Sequence, residues 1–188
     1  MIYTHTFLAK LIHWTFIPLY TYGIFKQVDD LNELEDASLL NFEILFATVF
    51  LIIVLLRYFY MKDTLALLGA HDDVHKGHLF IAKTVHGLMY FSLIMLPTTG
   101  LLIAALFSLE TRGVEIAIRI HEFSAFLSYV VIALHVGASL YSRFKGEGMW
   151  NAMVPVLKET GKNKSDLISK LEKIENKIYE KIEKDFLS

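Results

Sequence analysis

Four long apolar stretches, roughly residues 7–27, 39–61, 79–107 and 120–142, dominate this sequence and leave it few ways to fold. The second is the cleanest, since residues 44–56 hold no charged side chain at all. A helix needs about 20 mostly apolar residues to cross a bilayer, and only helices or closed barrels satisfy their own backbone there. A chain of 188 residues that is 54% hydrophobic, with mean hydropathy +0.45, has too little polar surface for a soluble domain. The sequence therefore predicts an all-α integral membrane protein in contact with the lipid bilayer. It reads as a four-helix bundle over residues 1–156 and a tail over residues 157–188. The third stretch is long enough to tilt, and Pro97 near its middle predicts a kink. The first lacks the basic start and small-residue cleavage site of a secretory signal, so it reads as a retained helix.

The loops set the orientation. Residues 27–36, between the first two stretches, are acidic and contain no Lys or Arg. Arg57, Lys62 and Lys76 flank the next connection, with Lys83 just inside the third helix. Arg112 and Arg119 in the third connection are balanced by Glu110 and Glu115, whereas Arg143, Lys145 and a Lys-rich tail follow the fourth helix. Positive residues gather on the cytoplasmic side, so a multi-pass protein of the inner (cytoplasmic) membrane with both termini cytoplasmic is expected.

The tail holds eight Lys and seven acidic residues. Leu167, Leu171, Ile174, Ile178, Ile182 and Phe186 recur in it at steps of 4, 3, 4, 4 and 4. That drift toward a period of about 3.6 predicts one amphipathic cytoplasmic helix rather than a long coiled coil, set on the membrane or against a partner.

Composition also excludes. With no cysteine there is no disulfide, thiolate metal site, iron–sulfur cluster or Cys-x-x-Cys-His haem attachment. A net charge of −2 and a pI near 6.4 argue against a nucleic-acid partner. Any redox centre must be held by His, Met or carboxylate.

Eight histidines are present, and polar residues inside a bilayer are expensive enough to be functional candidates. His121 and His135 lie 14 residues apart on the fourth stretch. At about 100° per residue this is within roughly 40° of whole turns, and at about 1.5 Å per residue it spans roughly 21 Å. Both imidazoles thus face one side, one near each end of the hydrocarbon layer, as two redox centres in series would require. An iron centre needs a second axial ligand from a facing helix. His13, at about the depth of His135, is the favoured partner for a clamped haem, and His86 competes for the role. Opposite His121 no histidine stands, and the second helix offers Glu43 there. Glu43 ligates, hydrogen-bonds His121, or is an interfacial carboxylate beside an absent or five-coordinate outer haem. Arg57 is placed to pair with a haem propionate, or is an ordinary positive-inside flank of the second helix. His71, His75 and His78, beside Asp72 and Asp73, have the spacing of a three-imidazole metal face, or of solvated loop residues.

Several segments resemble the bacterial cytochrome b561 family, itself related to the cytochrome b subunits of nickel–iron hydrogenases and formate dehydrogenases. Leu11-Ile12-His13-Trp14 opens the first helix, and Leu55-Leu56-Arg57 closes the second. His86-Gly87-Leu88-Met89-Tyr90 and Leu96-Pro97-Thr98-Thr99-Gly100 look like the third helix. Most specific are His121-Glu122 and Leu134-His135-Val136-Gly137-Ala138-Ser139-Leu140-Tyr141, followed by Phe144-Lys145-Gly146-Glu147-Gly148. The resemblance covers about residues 7–156. It implies two bis-histidine haems b, with His13 and His135 on the cytoplasmic-side haem and His121 on the outer one. The family's helix-two ligand falls at Glu43, a departure that makes the second site the open question. It also implies electron transfer with quinone or with a partner oxidoreductase; the Lys/Glu tail, outside the resemblance, favours docking of such a partner at the cytoplasmic face. The competing class is a haem-free helical bundle (a transporter, sensor or structural subunit) whose histidines handle protons or metal.

Overall fold

The computed structural model describes residues 5–26, 31–62, 75–159 and 165–186. Among these described residues six α-helices follow one another: α1 (Phe7–Phe25), α2 (Ala37–Met61), α3 (Lys76–Ser108), α4 (Val114–Lys145), α5 (Met149–Met153) and α6 (Asp166–Phe186). A short 3-10 helix, Leu31–Glu35, precedes α2, and no strand occurs among the described residues.

Three of these helices, α2, α3 and α4, are long and apolar enough to cross a membrane. α1 forms where the first stretch predicts it, but at 19 residues it is the shortest of the four. Lys10, His13, Thr21 and two tyrosines dilute its apolar character, so it is not among the three. Helix α3 stays helical through Pro97, and α1 through Pro18. Hydroxyls along the helices bond back to their own backbone: Thr21 to the Ile17 carbonyl, Thr48 to Ile44 and Ser139 to His135. Where no water is at hand, that is the nearest acceptor.

The helix ends follow local chemistry. Asp36 caps α2, its Oδ1 accepting from Ser38 N at 2.8 Å. At the end of α3, Thr111 N bonds Leu106 O and Glu110 N bonds Phe107 O, with Glu110 at φ 51°. At the end of α4, Glu147 N bonds Ser142 O and Gly146 N bonds Arg143 O. Both are Schellman caps; Gly146, at φ 72°, takes the left-handed position in the second without a Cβ penalty.

The chain divides into two compact units. One comprises Phe7–Asp63 and Met89–Val130. Its interior is aromatic: Phe16 and Phe50 rings are 5.1 Å apart, and Phe50 continues to Phe46 at 6.1 Å. Ser128 is fully buried and donates to Ala125 O, so the Tyr20 hydroxyl, 2.6 Å away, donates to Ser128 Oγ. Long apolar side chains such as Leu45, Leu56 and Phe126 point outward, more than half exposed, as lipid-facing residues do. The other unit comprises Met1–Thr6, Thr64–Leu88 and Val131–Ser188, and in it α6 packs on the first turn of α3 and the last turn of α4.

Candidate functional site

Within the first unit, Thr99 of α3 is 3% exposed and its Oγ1 lies 2.9 Å from His121 Nδ1 of α4. The hydroxyl has one proton, and the carbonyls of Met95 and Leu96, at 2.8 and 3.0 Å, take it. The Thr99 oxygen is therefore left to accept, so His121 Nδ1 carries the ring proton and Nε2 presents a lone pair. That is the tautomer in which an imidazole ligates a metal, with its second nitrogen held by an outer partner.

His13 of α1 is held differently. Arg57 Nη1 lies 2.6 Å from His13 Nδ1, and Arg57 Nε donates to Tyr90 Oη at 3.3 Å. A guanidinium only donates, so His13 Nδ1 accepts and the proton sits on Nε2. Tyr90 is braced in turn by Tyr58, their rings edge-on at 5.3 Å. Glu43 meets Lys26, Nζ to Oε1 at 2.6 Å, and Lys26 also sits 3.8 Å over the Phe42 ring.

In the second unit, His86 of α3 and His135 of α4 lie with ring centroids 5.3 Å apart and planes tilted by 56°. The sequence proposed these two as rival and ligand, and the structure makes them neighbours.

A further cluster joins α6 to the ends of α3 and α4. His78 stacks on Tyr179 at 5.0 Å, His75 lies 6.1 Å from the same ring, and Gly77 N donates to Glu183 Oε1 at 2.9 Å. Of the three-histidine face expected from spacing, His71 lies outside the described residues, while His75 and His78 turn to α6. Lys145 bridges Glu147 and Glu175 at 2.6 and 2.7 Å. The ligand atoms of His78, Glu147 and Glu175 fall within 4.8 Å of one another, and the Lys145 ammonium bridges the two carboxylates, offsetting one of their two charges. Burial disfavours the Glu175 carboxylate, but hydrogen bonds from Lys145, Tyr179 and Tyr141 outweigh it and hold its pKa below the ordinary Glu value. Burial, then the bond to Glu175, pushes Tyr179 upward.

The family model for prokaryotic cytochrome b561 matches residues 4–156. The chain belongs to the prokaryotic cytochrome b561 family. Membership implies a membrane b-type cytochrome that transfers electrons and binds haem b. The match runs from α1 through α5 and stops before α6. No curated protein and no solved structure matches the chain.

The donor set suits this b561 cytochrome. Imidazoles on α1, α3 and α4 are nitrogen donors of the kind haem b takes, and the sequence has no cysteine for covalent attachment. His121 already has the ligating tautomer. Thr99, within Leu96-Pro97-Thr98-Thr99-Gly100, is a site residue that the sequence alone does not single out. The signal was available: Pro97 supplies no N–H to the helix, and a hydroxyl beside it in a buried face has a reason to be there. Lys26 as the partner of Glu43, and Glu147 and Glu175 around Lys145, were also missed, being pairings between elements far apart in the chain.

Proposed function

We propose that this cytochrome carries electrons within the membrane on haem b held between its helices, exchanging them with quinone or with a partner oxidoreductase. The observation that carries this reading is His121 with Nδ1 held by Thr99 and Nε2 left as a ligand. In this reading α1–α4 all cross the inner membrane and both termini are cytoplasmic, an orientation supported by the basic loops. Residues 1–156 form the four-helix cytochrome domain and residues 157–188 an amphipathic cytoplasmic tail.

His13 and His135 would hold one haem, and His121 would hold a second. Bound haem supplies reversible one-electron chemistry at its iron. Arg57 is the cation placed to receive a propionate carboxylate. With Arg57 turned to such an acceptor, the His13 ring proton would sit on Nδ1 and Nε2 would be the nitrogen that holds the haem. Glu43 serves as the ion-pair partner of Lys26 between α1 and α2 rather than as an axial ligand. A second pairing, His86 with His135, is favoured by the 5.3 Å approach of their rings.

The dithionite-reduced optical spectrum of the purified protein tests the whole reading. Sharp α and Soret bands are expected, and their absence would return the chain to a haem-free bundle. Haem-to-protein stoichiometry then counts the sites. His13→Ala is expected to lose a low-spin haem that His86→Ala retains, and the reverse result assigns that haem to His86 and His135.

A further inference from the structure

Helix α6 lies beyond the part of the chain that the family explains, and it has three faces rather than two. At about 100° per residue, Leu167, Leu171, Ile174 and Ile178 share a sector about 60° wide. All four are exposed, between 42% and 66%. Glu175, Tyr179 and Glu183 share a second sector, centred about 110° from the first. This one is docked: Glu175 to Lys145 at the end of α4, Glu183 to Gly77 N, and Tyr179, 8% exposed, under His78 at the start of α3. Lys170, Lys173, Lys177, Lys181 and Lys184 fall in a third sector, about 90° to the other side of the apolar one. Asp166, the acid in that sector, is paired with Lys170 at 2.7 Å.

A helix lying between a protein and water needs two faces. Three faces call for three neighbours. The docked sector meets the ends of two helices that are long and apolar enough to cross the membrane, which fixes α6 at the membrane boundary. Phe186 at its C-terminus, on the docked side, stacks on Phe80 of α3 at 6.2 Å, and both rings are exposed, so α6 also carries apolar surface beside an outward-facing side chain of a helix able to cross the membrane.

We infer that α6 is an interfacial helix, lying in the headgroup layer of the membrane that α3 and α4 cross and binding anionic lipid. The leucine and isoleucine stripe enters the acyl boundary, and the adjacent lysines meet lipid phosphates with their stems along the headgroups. Lysines near an anionic surface are attracted to it over about a Debye length, so charged lipid strengthens what apolar burial begins.

The chain has no cysteine, which makes single-site labelling direct. Full-length Ile174→Cys and Lys177→Cys, each carrying a nitroxide, are reconstituted into vesicles of phosphatidylcholine with phosphatidylglycerol. The label at 174 should be relaxed by oxygen and protected several-fold from a water-soluble nickel chelate, and the label at 177 should show the opposite. The protection at 174 should fall in pure phosphatidylcholine or at high salt. Leu171→Cys serves as a second reporter of the same stripe, each variant first being checked for the parent's helix content and reduced spectrum. Equal chelate access at 171, 174 and 177 would overturn the inference. So would dipolar broadening between labels at 174, which would assign the stripe to a second copy of the chain.

Discussion

Thr99 Oγ1 sits 2.9 Å from His121 Nδ1 and has no proton left to give, because its own goes to the carbonyl of Met95 or Leu96. Thr99 is thus a positioning residue, acting on the proposed haem through the orientation and tautomer of His121. Losing such an outer-shell partner costs about 10- to 100-fold in metal affinity. Thr99→Val should lower haem occupancy on dilution by that order and alter the low-spin EPR signal of the remaining haem. Thr99→Ser, which keeps the hydroxyl, should restore both. A valine variant with unchanged haem content and EPR signal would show that the hydroxyl only packs.

The second prediction concerns Arg57, held between His13 and Tyr90. A guanidinium near the haem favours the ferrous form, since reduction removes positive charge from the iron. Arg57→Gln removes the charge and keeps some hydrogen bonding. The midpoint potential of the haem served by His13 should fall, and Arg57→Lys should lose less. Redox titration followed in the α band measures this, and a rise in potential would contradict the assignment.

The third prediction follows from Glu43. Its carboxylate is committed to Lys26, and partly exposed ion pairs contribute about 0.2–1 kcal/mol. Glu43→Gln should leave the haem-to-protein ratio unchanged and lower the thermal midpoint only slightly. A lost haem would make Glu43 the ligand opposite His121 after all.

What the sequence made legible was what periodicity and hydropathy encode. Residues 44–56 and the spacing of His121 and His135 follow from helix geometry and the solvent preference of side chains, so α2, α3 and α4 form close to where they were expected. α6 forms over Asp166–Phe186 for the same reason. Pairings between distant positions were not legible. Lys26 and Glu43 are 17 residues apart, Arg57 and His13 are 44 apart, and Thr99 and His121 are 22 apart on two different helices. Nothing local in any of these segments states its partner. Nor does the three-histidine spacing state that Tyr179, about 100 residues away, offers His75 and His78 an aromatic face.

Gly77 offers a test of how α6 is docked. A Cβ there would stand 2.7 Å from Tyr179 O and 2.8 Å from its Cα, and backbone cannot yield as a side chain end can. Overpacking of this kind costs about 1–3 kcal/mol. Gly77→Ala should release α6 while leaving the haem spectrum of the membrane helices intact. Limited proteolysis of the tail would report it as several-fold faster cleavage after residue 160, and an unchanged rate would mean that α3 shifts to admit the methyl.

The docking of α6 should also depend on acid. Although burial opposes its charge, Glu175 is held below the ordinary Glu pKa by bonds from Lys145, Tyr179 and Tyr141. A carboxyl whose folded pKa is depressed binds its proton more weakly when docked than when released. Its contribution is therefore fully present above the ordinary carboxylate range, and it is lost as the pH falls through that range and then through the lower folded value. His78 and Glu147 face the same cluster, so the transition belongs to the group rather than to one carboxyl. Protection of the α6 amides from hydrogen exchange, corrected for intrinsic rates, should hold steady through neutral pH and fall in acid, before the α2 amides respond. Glu175→Gln should show lower protection at neutral pH and a flatter acid dependence. If that variant keeps the parent's acid transition, the sensitivity lies elsewhere and Glu175 is not what fastens α6 to Lys145.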